Sequence, residues 1–273
     1  MNDLKNFLDK KLIKTYVINV QHSIYRYNHV LYEFSKYDIK NYTIVKAITP
    51  EDKEVKEFYS LGKVMAYPPC FRCKYIKCNH KNNFITPLQV ANFLSFKNIM
   101  LKISKENVGL YLILEDDFYF KPITNAAIKR VENFLVNKDL FNTNQPLLFR
   151  VGSHTISRKK INYLNRFLNY FKISKNIFNM SNPGFIINQE FAKLFISDFK
   201  FIDTTSDFYI HNELCDNNKV LNYSIEPFPI GQNSYGRKIN LFDSEIVNEN
   251  SSKNLINLSS KEEYDKFLSG LLI

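Results

Sequence analysis

The sequence has few glycines and no long apolar run, and both shortages exclude classes of protein. Its 7 glycines form neither GxGxxG nor GxxxxGK, so the motifs of dinucleotide-binding folds and P-loop enzymes are missing. No segment approaches the roughly 18 consecutive apolar residues that span a membrane. Residues 1–14 are charged throughout and lack the apolar centre of a signal peptide. We therefore expect a soluble, cytoplasmic protein.

The composition is that of a folded domain with a basic surface. Hydrophobic residues make up 45% of the 273 residues and aromatic residues 15%, which is enough for a substantial core and argues against disorder. The net charge of +10 is spread along the chain. It favours phosphate-bearing ligands or peripheral contact with anionic membrane surfaces. Specific nucleic-acid binding would require a concentrated basic patch or a recognisable module.

Apolar runs and amphipathic segments alternate along the chain, which predicts a single α/β domain over residues 1–240. A polar tail with a short helix is expected over residues 241–273. We predict strands at 13–20, 42–48, 110–114, 146–152, 185–187 and 222–226. Helices are predicted at 1–11, 24–37, 49–62, 86–105, 124–137 and 189–199, with another beginning near 204–206.

The most informative stretch is residues 109–120, GLYLILEDDFYF, in which three acids end an apolar run. A short continuous apolar run is typical of a strand buried on both faces of a mostly parallel sheet. Ligands of such sheets lie beyond the carboxyl ends of the strands. Carboxylates there suit Mg²⁺ or Mn²⁺ carrying a nucleotide diphosphate. We predict Asp117 and then Asp116 as metal ligands; the alternative is a solvated acidic turn.

A series of short motifs, in this order, resembles glycosyltransferase family 25, the lipopolysaccharide and procollagen galactosyltransferase group. The motifs are VINV at 17–20 followed by Arg26, TPLQVANFLS at 86–95, LEDD at 114–117, NPGFI at 182–186, Asp207, and Pro229, Gln232 and Ser234. The sequence departs from the family pattern at Gln89, Ala91 and Phe96, where the family usually has Glu, Gly and His.

The resemblance implies a GT-A fold with a Rossmann-like, mostly parallel sheet, a bound divalent cation and inversion at the sugar carbon. It implies Asp207 as the catalytic base, with Asp203 as the competing candidate. The residues expected to bind the nucleotide sugar are Asn19, Arg26, Ser95, Glu115, Asp116 and Gln232.

Several of these residues also have ordinary structural interpretations. Asp207 is an acid at a helix start, where the helix dipole favours it. Arg26 suits a diphosphate but equally suits a solvated helix. On a helix, His211 would share a face with Asp207, and we expect it to be a hydrogen-bonded surface residue. His154 follows a predicted strand without further support.

Two other segments have open interpretations. Cys70, Cys73, Cys78 and His80 supply four zinc-type ligands within one loop, although their spacing is not that of a standard zinc knuckle. The alternative is reduced thiols or, in an oxidising compartment, a disulfide. The basic and aromatic segment 158–172 either lines an acceptor groove or covers a surface helix.

The resulting hypothesis is a metal-dependent transferase that moves galactose or glucose from a UDP-sugar to a glycan or hydroxylysine-type hydroxyl. Its cofactor is Mn²⁺ or Mg²⁺, with structural Zn²⁺ as an additional candidate. One rival is another metal-dependent, nucleotide-using transferase, such as a nucleotidyltransferase. The other rival, suggested by the departures at Gln89 and Phe96, is an inactive, zinc-stabilised binding protein on the same fold.

Overall fold

A computed structural model describes residues 3–20, 23–66, 68, 85–152, 171–175, 181–215 and 219–233. The predicted zinc ligands Cys70, Cys73, Cys78 and His80 lie outside the described residues. So do His154, most of the basic and aromatic segment, and the tail with its predicted helix. In the part of the chain that is described, no helix is long and apolar enough to cross a membrane.

The strands and helices alternate along the described chain as the sequence predicts. The helices are α1 (Asp3–Asn6, continuing as a π-helical turn, Phe7–Lys11), α2 (Ile24–Ser35), α3 (Lys53–Ser60), α4 (Pro87–Ile103), α5 (Thr124–Asn137), α6 (Gln189–Asp198) and α7 (Ser206–Phe208, continuing as a π-helical turn, Tyr209–Glu213). The strands are β1 (Lys14–Asn19), β2 (Tyr42–Lys46), β3 (Leu110–Glu115), β4 (Phe118–Phe120), β5 (Leu147–Arg150), β6 (Lys172–Lys175), β7 (Gly184–Asn188), β8 (Leu221–Glu226) and β9 (Ile230–Gln232).

Seven strands form a central mixed sheet in the order β2-β1-β3-β7-β5-β8-β6, and β4 pairs with β9 in a separate two-stranded sheet. Strands β1, β2, β3, β5 and β8 run in one direction, whereas β7 and β6 run in the other. The expectation of a mostly parallel sheet is therefore only partly correct. Strand β7 lies antiparallel between β3 and β5. The sequence did not predict this, because apolar patterning indicates which strands are buried but not the direction in which they run.

The sheet has an apolar layer on each face, as the continuous apolar run of β3 predicts. Tyr111 and Ile113 face a core built with α3, α4 and α6. Leu110, Leu112 and Leu114 face the opposite core, built with α1, α2 and α5. This three-layer arrangement fits a Rossmann-like glycosyltransferase fold. It also buries every residue of β3 except Glu115 at the carboxyl end, which is partly exposed.

Local sequence signals fix the elements around β3. Thr86 and Gln89 form a reciprocal capping box at the start of α4, with Pro87 in the first turn. Gly109 precedes β3 with a φ of 152°, and a Cβ atom there would lie 2.5 Å from Cγ1 of Ile13. The close approach of β1 and β3 therefore requires glycine at this position.

Candidate active site

The acidic turn lies where the carboxyl ends of two parallel strands meet. Strand β3 ends at Glu115, which is in register with Ile18 of β1, so Asn19 at the end of β1 lies beside the turn. Asp116 and Asp117 follow, each only 3% exposed. The backbone N–H of Asn233, just after β9, donates to the carbonyl of Asp117 at 2.8 Å. Three strands thus define the position of this turn.

Asp116 is bound firmly into the protein. Its Oδ2 accepts hydrogen bonds from Asn19 Nδ2 at 2.9 Å and from the Val20 N–H at 3.2 Å. Its Oδ1 accepts a hydrogen bond from Arg26 Nη1 at 2.7 Å. Both oxygens are therefore engaged, with a guanidinium compensating the buried charge. Asn19 and Arg26, predicted to contact a nucleotide, both donate hydrogen bonds to Asp116.

Glu115 shows that several carboxylates converge at this point. Desolvation raises the pKa of Glu115 well above its usual range, and the negative charges of Asp117, Asp116 and Asp207 raise it further. The positive charge of Arg26 acts in the opposite direction and lowers this pKa. Asp207 is 92 residues from Glu115 in the sequence, yet its charge acts on Glu115. Gln232 Nε2 donates to Glu115 Oε2 at 3.3 Å. Gln232 therefore contacts the side chain at the end of β3, and the charge of Asp207 acts on the same carboxyl group.

Asp207 is held by its own short helix, α7. Its Oδ1 accepts hydrogen bonds from Thr205 Oγ1 at 2.5 Å and from the Phe208 N–H at 3.0 Å. Of the described residues, none donates a hydrogen bond to its Oδ2. One oxygen is thus fixed by the protein, while the other is available to a ligand. Asp203, the competing candidate, precedes α7, and burial raises the pKa of its carboxyl group.

Ser95 has a structural role that the sequence motif does not reveal. Its hydroxyl donates to the carbonyl of Ala91 at 2.8 Å and accepts the N–H of Ile48, also at 2.8 Å. Ser95 is 4% exposed and joins α4 to the segment after β2. Both hydrogen-bonding functions of the hydroxyl are used within the protein, so we leave Ser95 out of the proposed donor site.

His211 is hydrogen bonded, as expected, but it is not on the surface. It is 2% exposed, and its ring accepts a hydrogen bond from Arg150 Nε at 2.9 Å. Burial and the Arg150 charge hold the pKa of His211 well below its usual range. The helical spacing from Asp207 could not show this, because the partner lies on β5, 61 residues earlier.

The arrangement of carboxylates is compatible with a divalent cation that has few protein ligands. Among the residues that the structure describes, no group of three or more His, Cys, Asp or Glu side chains is arranged to hold a metal ion. Mg²⁺ is usually bound through one or two carboxylates together with phosphate oxygens and water. The mutual repulsion at Glu115, Asp116 and Asp117 is the kind of cost that a cation relieves.

The ion pair at Asp116 leads to a prediction about stability. The side chains of Arg26 and Asp116 are only 12% and 5% exposed, so Arg26→Met should leave a buried carboxylate without its cation. We expect the free energy of unfolding, measured by urea titration, to fall by about 2–3 kcal/mol. Lys53→Met is the matched control, since the Lys53–Glu57 pair is 89% and 52% exposed and should contribute almost nothing. Equal effects of the two substitutions would contradict a structural role for this ion pair.

Comparison with known proteins agrees with the motif series. The sequence matches the model of glycosyltransferase family 25 (LPS biosynthesis protein) over residues 12–210, which is more than two thirds of the chain. This range includes the acidic turn and Asp207. No curated protein gives a significant match to the chain. On the extent of the family match, the chain belongs to glycosyltransferase family 25.

Proposed function

We propose that this protein is an inverting, metal-dependent hexosyltransferase of GT-A type. It would move galactose or glucose from a UDP-sugar to a hydroxyl group of a glycan or hydroxylysine-type acceptor. The observation that carries the proposal is that the charges of Asp117, Asp116 and Asp207 all act on Glu115 at the end of β3. A candidate base is thus within electrostatic range of a candidate diphosphate site, as a displacement at a sugar carbon requires.

The donor would bind beyond the carboxyl ends of β1 and β3, where ligands of open α/β sheets bind. Asp117 is the proposed cation ligand. Asp116 supports it from within the fold, because Asn19, Val20 and Arg26 fix its position. A bound Mn²⁺ or Mg²⁺ would neutralise the charge that develops on the UDP leaving group. Glu115 and Gln232 form the adjoining wall of this site.

The acceptor hydroxyl would give its proton to Oδ2 of Asp207. Its oxygen would form the new bond to the anomeric carbon, while the bond from that carbon to the diphosphate oxygen breaks. The electron pair of the broken bond leaves with UDP, and attack from the opposite side inverts the anomeric configuration. The hydrogen bonds from Thr205 and Phe208 to Oδ1 keep Asp207 oriented during this transfer.

The proposal is tested by incubating the purified protein with UDP-galactose and with UDP-glucose, in Mn²⁺ or in EDTA. We expect release of free UDP that depends on the metal, because donors are often hydrolysed slowly when water replaces the acceptor. Release of pyrophosphate from a nucleoside triphosphate would instead identify a nucleotidyltransferase. If the protein neither turns over nor binds any UDP-sugar, the proposal is contradicted. An inactive binding protein would then be favoured.

A further inference from the structure

Arg150, the last residue of β5, is a buried cation whose partners are neutral. It is 0% exposed. The acceptors that the described part of the chain offers it are His211 Nδ1, the His211 carbonyl at 2.8 Å, Asn222 Oδ1 and the neutral thiol of Cys215. Burial lowers the pKa of the guanidinium to about 10, which leaves it charged near neutral pH. A buried charge without an opposite charge is costly, so its hydrogen bonds matter more than those of a surface arginine.

Arg150 determines where the proton of His211 lies. A guanidinium can only donate, so Nδ1 of His211 must be the acceptor of the Arg150 Nε–H. The single proton of the neutral imidazole is then on Nε2. That nitrogen lies 2.7 Å from Asn182 Oδ1 and therefore donates to it. The tautomer of His211 thus follows from its contact with arginine.

The tautomer of His211 determines the direction of the next hydrogen bonds, which lead through Asn182 and Ser206 to α4. Because Asn182 Oδ1 accepts from His211, its amide nitrogen faces Ser206, and Nδ2 donates to Ser206 Oγ at 3.2 Å. The Ser206 hydroxyl then directs its own proton to Asn92 Oδ1, 2.5 Å away. Every donor and acceptor from Arg150 to the oxygen of Ser206 is assigned by the arginine at the start of this series. We call Arg150, His211, Asn182, Ser206 and Asn92 the Arg150 chain.

The Arg150 chain ends beside the proposed base. Ser206 is the first residue of α7, and Asp207 follows it directly. Ser206 is held from one side by Asn182, which precedes β7, and from the other side by Asn92 of α4. Helix α7 has only three α-helical residues and therefore little stiffness of its own. Its orientation depends on these contacts.

We propose that the Arg150 chain positions Asp207 for proton transfer, with Ser206 as the residue that transmits the restraint. The inference rests on the proposed role of Asp207 as the base. Ser206 is a positioning residue that acts through its neighbour, because its hydroxyl is fully engaged with Asn182 and Asn92. The chain fixes α7 and thereby the direction in which Oδ2 of Asp207 points.

Ser206→Ala tests this inference by removing one hydroxyl. The kcat for UDP release from the donor that the enzyme hydrolyses should fall by about 10- to 100-fold, since small misplacements of catalytic groups have effects of that order. The KM for the donor should change little. Ser224→Ala is the matched control: Ser224 is buried like Ser206 and lies in register with Arg150, yet its Oγ has no hydrogen-bond partner among the described residues. It should keep wild-type kcat.

A double-mutant cycle separates positioning from general damage to the fold. If Ser206 acts through Asp207, Ser206→Ala should cause no further loss of kcat in an Asp207→Asn background. An equal loss in both backgrounds, or wild-type kcat in Ser206→Ala, would overturn the inference while leaving Asp207 as the base. Wild-type kcat in Asp207→Asn would instead refute the proposed base, and the inference with it.

The proton assignment can be tested without any activity. Long-range ¹H–¹⁵N NMR correlations should show His211 as a neutral imidazole with its proton on Nε2. His211→Gln identifies the signal by its disappearance. A proton on Nδ1, or a doubly protonated ring near neutral pH, would contradict the Arg150 chain, because neither state can accept the Arg150 Nε–H.

Discussion

Asp207→Asn should lower sugar transfer by about 10²–10⁴-fold, the usual contribution of a general base. Binding of the UDP-sugar should survive. Asparagine retains an oxygen that can accept from Thr205 Oγ1 and the Phe208 N–H, so the local structure of α7 is preserved. What changes is the second oxygen, which becomes an amide nitrogen and can no longer take a proton. Steady-state kinetics and donor titration of the same preparation measure both quantities.

Asp203→Asn is the control for this substitution. Asp203 is an acid four residues before Asp207, and it lies outside α7. It should retain near-normal transfer. The base would be misassigned if Asp203→Asn lost transfer while Asp207→Asn kept it. Loss of UDP binding in both variants would place Asp207 in the donor site or in the fold.

Asp117→Asn should weaken the binding of UDP in the presence of Mn²⁺ by tenfold or more, an effect of at least about 1.4 kcal/mol. Without metal, the Tm should be unchanged or slightly higher. The reason is electrostatic: Asp117 is the first of the charges that raise the pKa of Glu115, so its removal relieves repulsion in the metal-free protein. Calorimetric titration with UDP, with and without Mn²⁺, measures the change.

Two further variants make the result specific to Asp117. Asp139→Asn replaces an exposed acid after α5 whose φ of 50° suits asparagine, and it should affect neither binding nor Tm. Asp116→Asn should lower the Tm even without metal, since it weakens the contact with Arg26. An unchanged UDP affinity of Asp117→Asn in Mn²⁺ would contradict the assignment of Asp117 as the ligand.

The order of the main elements could be predicted from the sequence, because strong apolar patterns determine it. The buried run of β3 and the proline-initiated start of α4 are examples. The three-residue strands β4 and β9 were not predicted, since so short a segment has no readable period. Strand β6, which begins at the last residue of the basic and aromatic segment, was not predicted either. The reversed direction of β7 depends on contacts with β3 and β5, which no local pattern encodes.

Some of the residues that the sequence predicted for the site lie in contact with one another, but those contacts were not predicted. Asn19, Arg26 and Asp116 were all expected near a nucleotide, and the structure does bring them together. However, the ion pair between Arg26 and Asp116 spans 90 residues of sequence, so its strength could not be inferred from spacing. Arg150 was not predicted at all. A charged residue inside the apolar run LLFRV of β5 was the one signal that could have indicated it.

The position of β7 between β3 and β5 has a consequence for biosynthesis. When the ribosome has completed β3 at Glu115, the neighbour that will cover one edge of that strand, β7, is not finished until Asn188. At typical translation rates those 73 residues take about 4–15 s. During that interval the nascent chain presents an apolar, unpaired strand edge, the kind of surface that recruits other chains. Productive synthesis of this protein therefore depends on how well the cell shields β3 until β7 arrives.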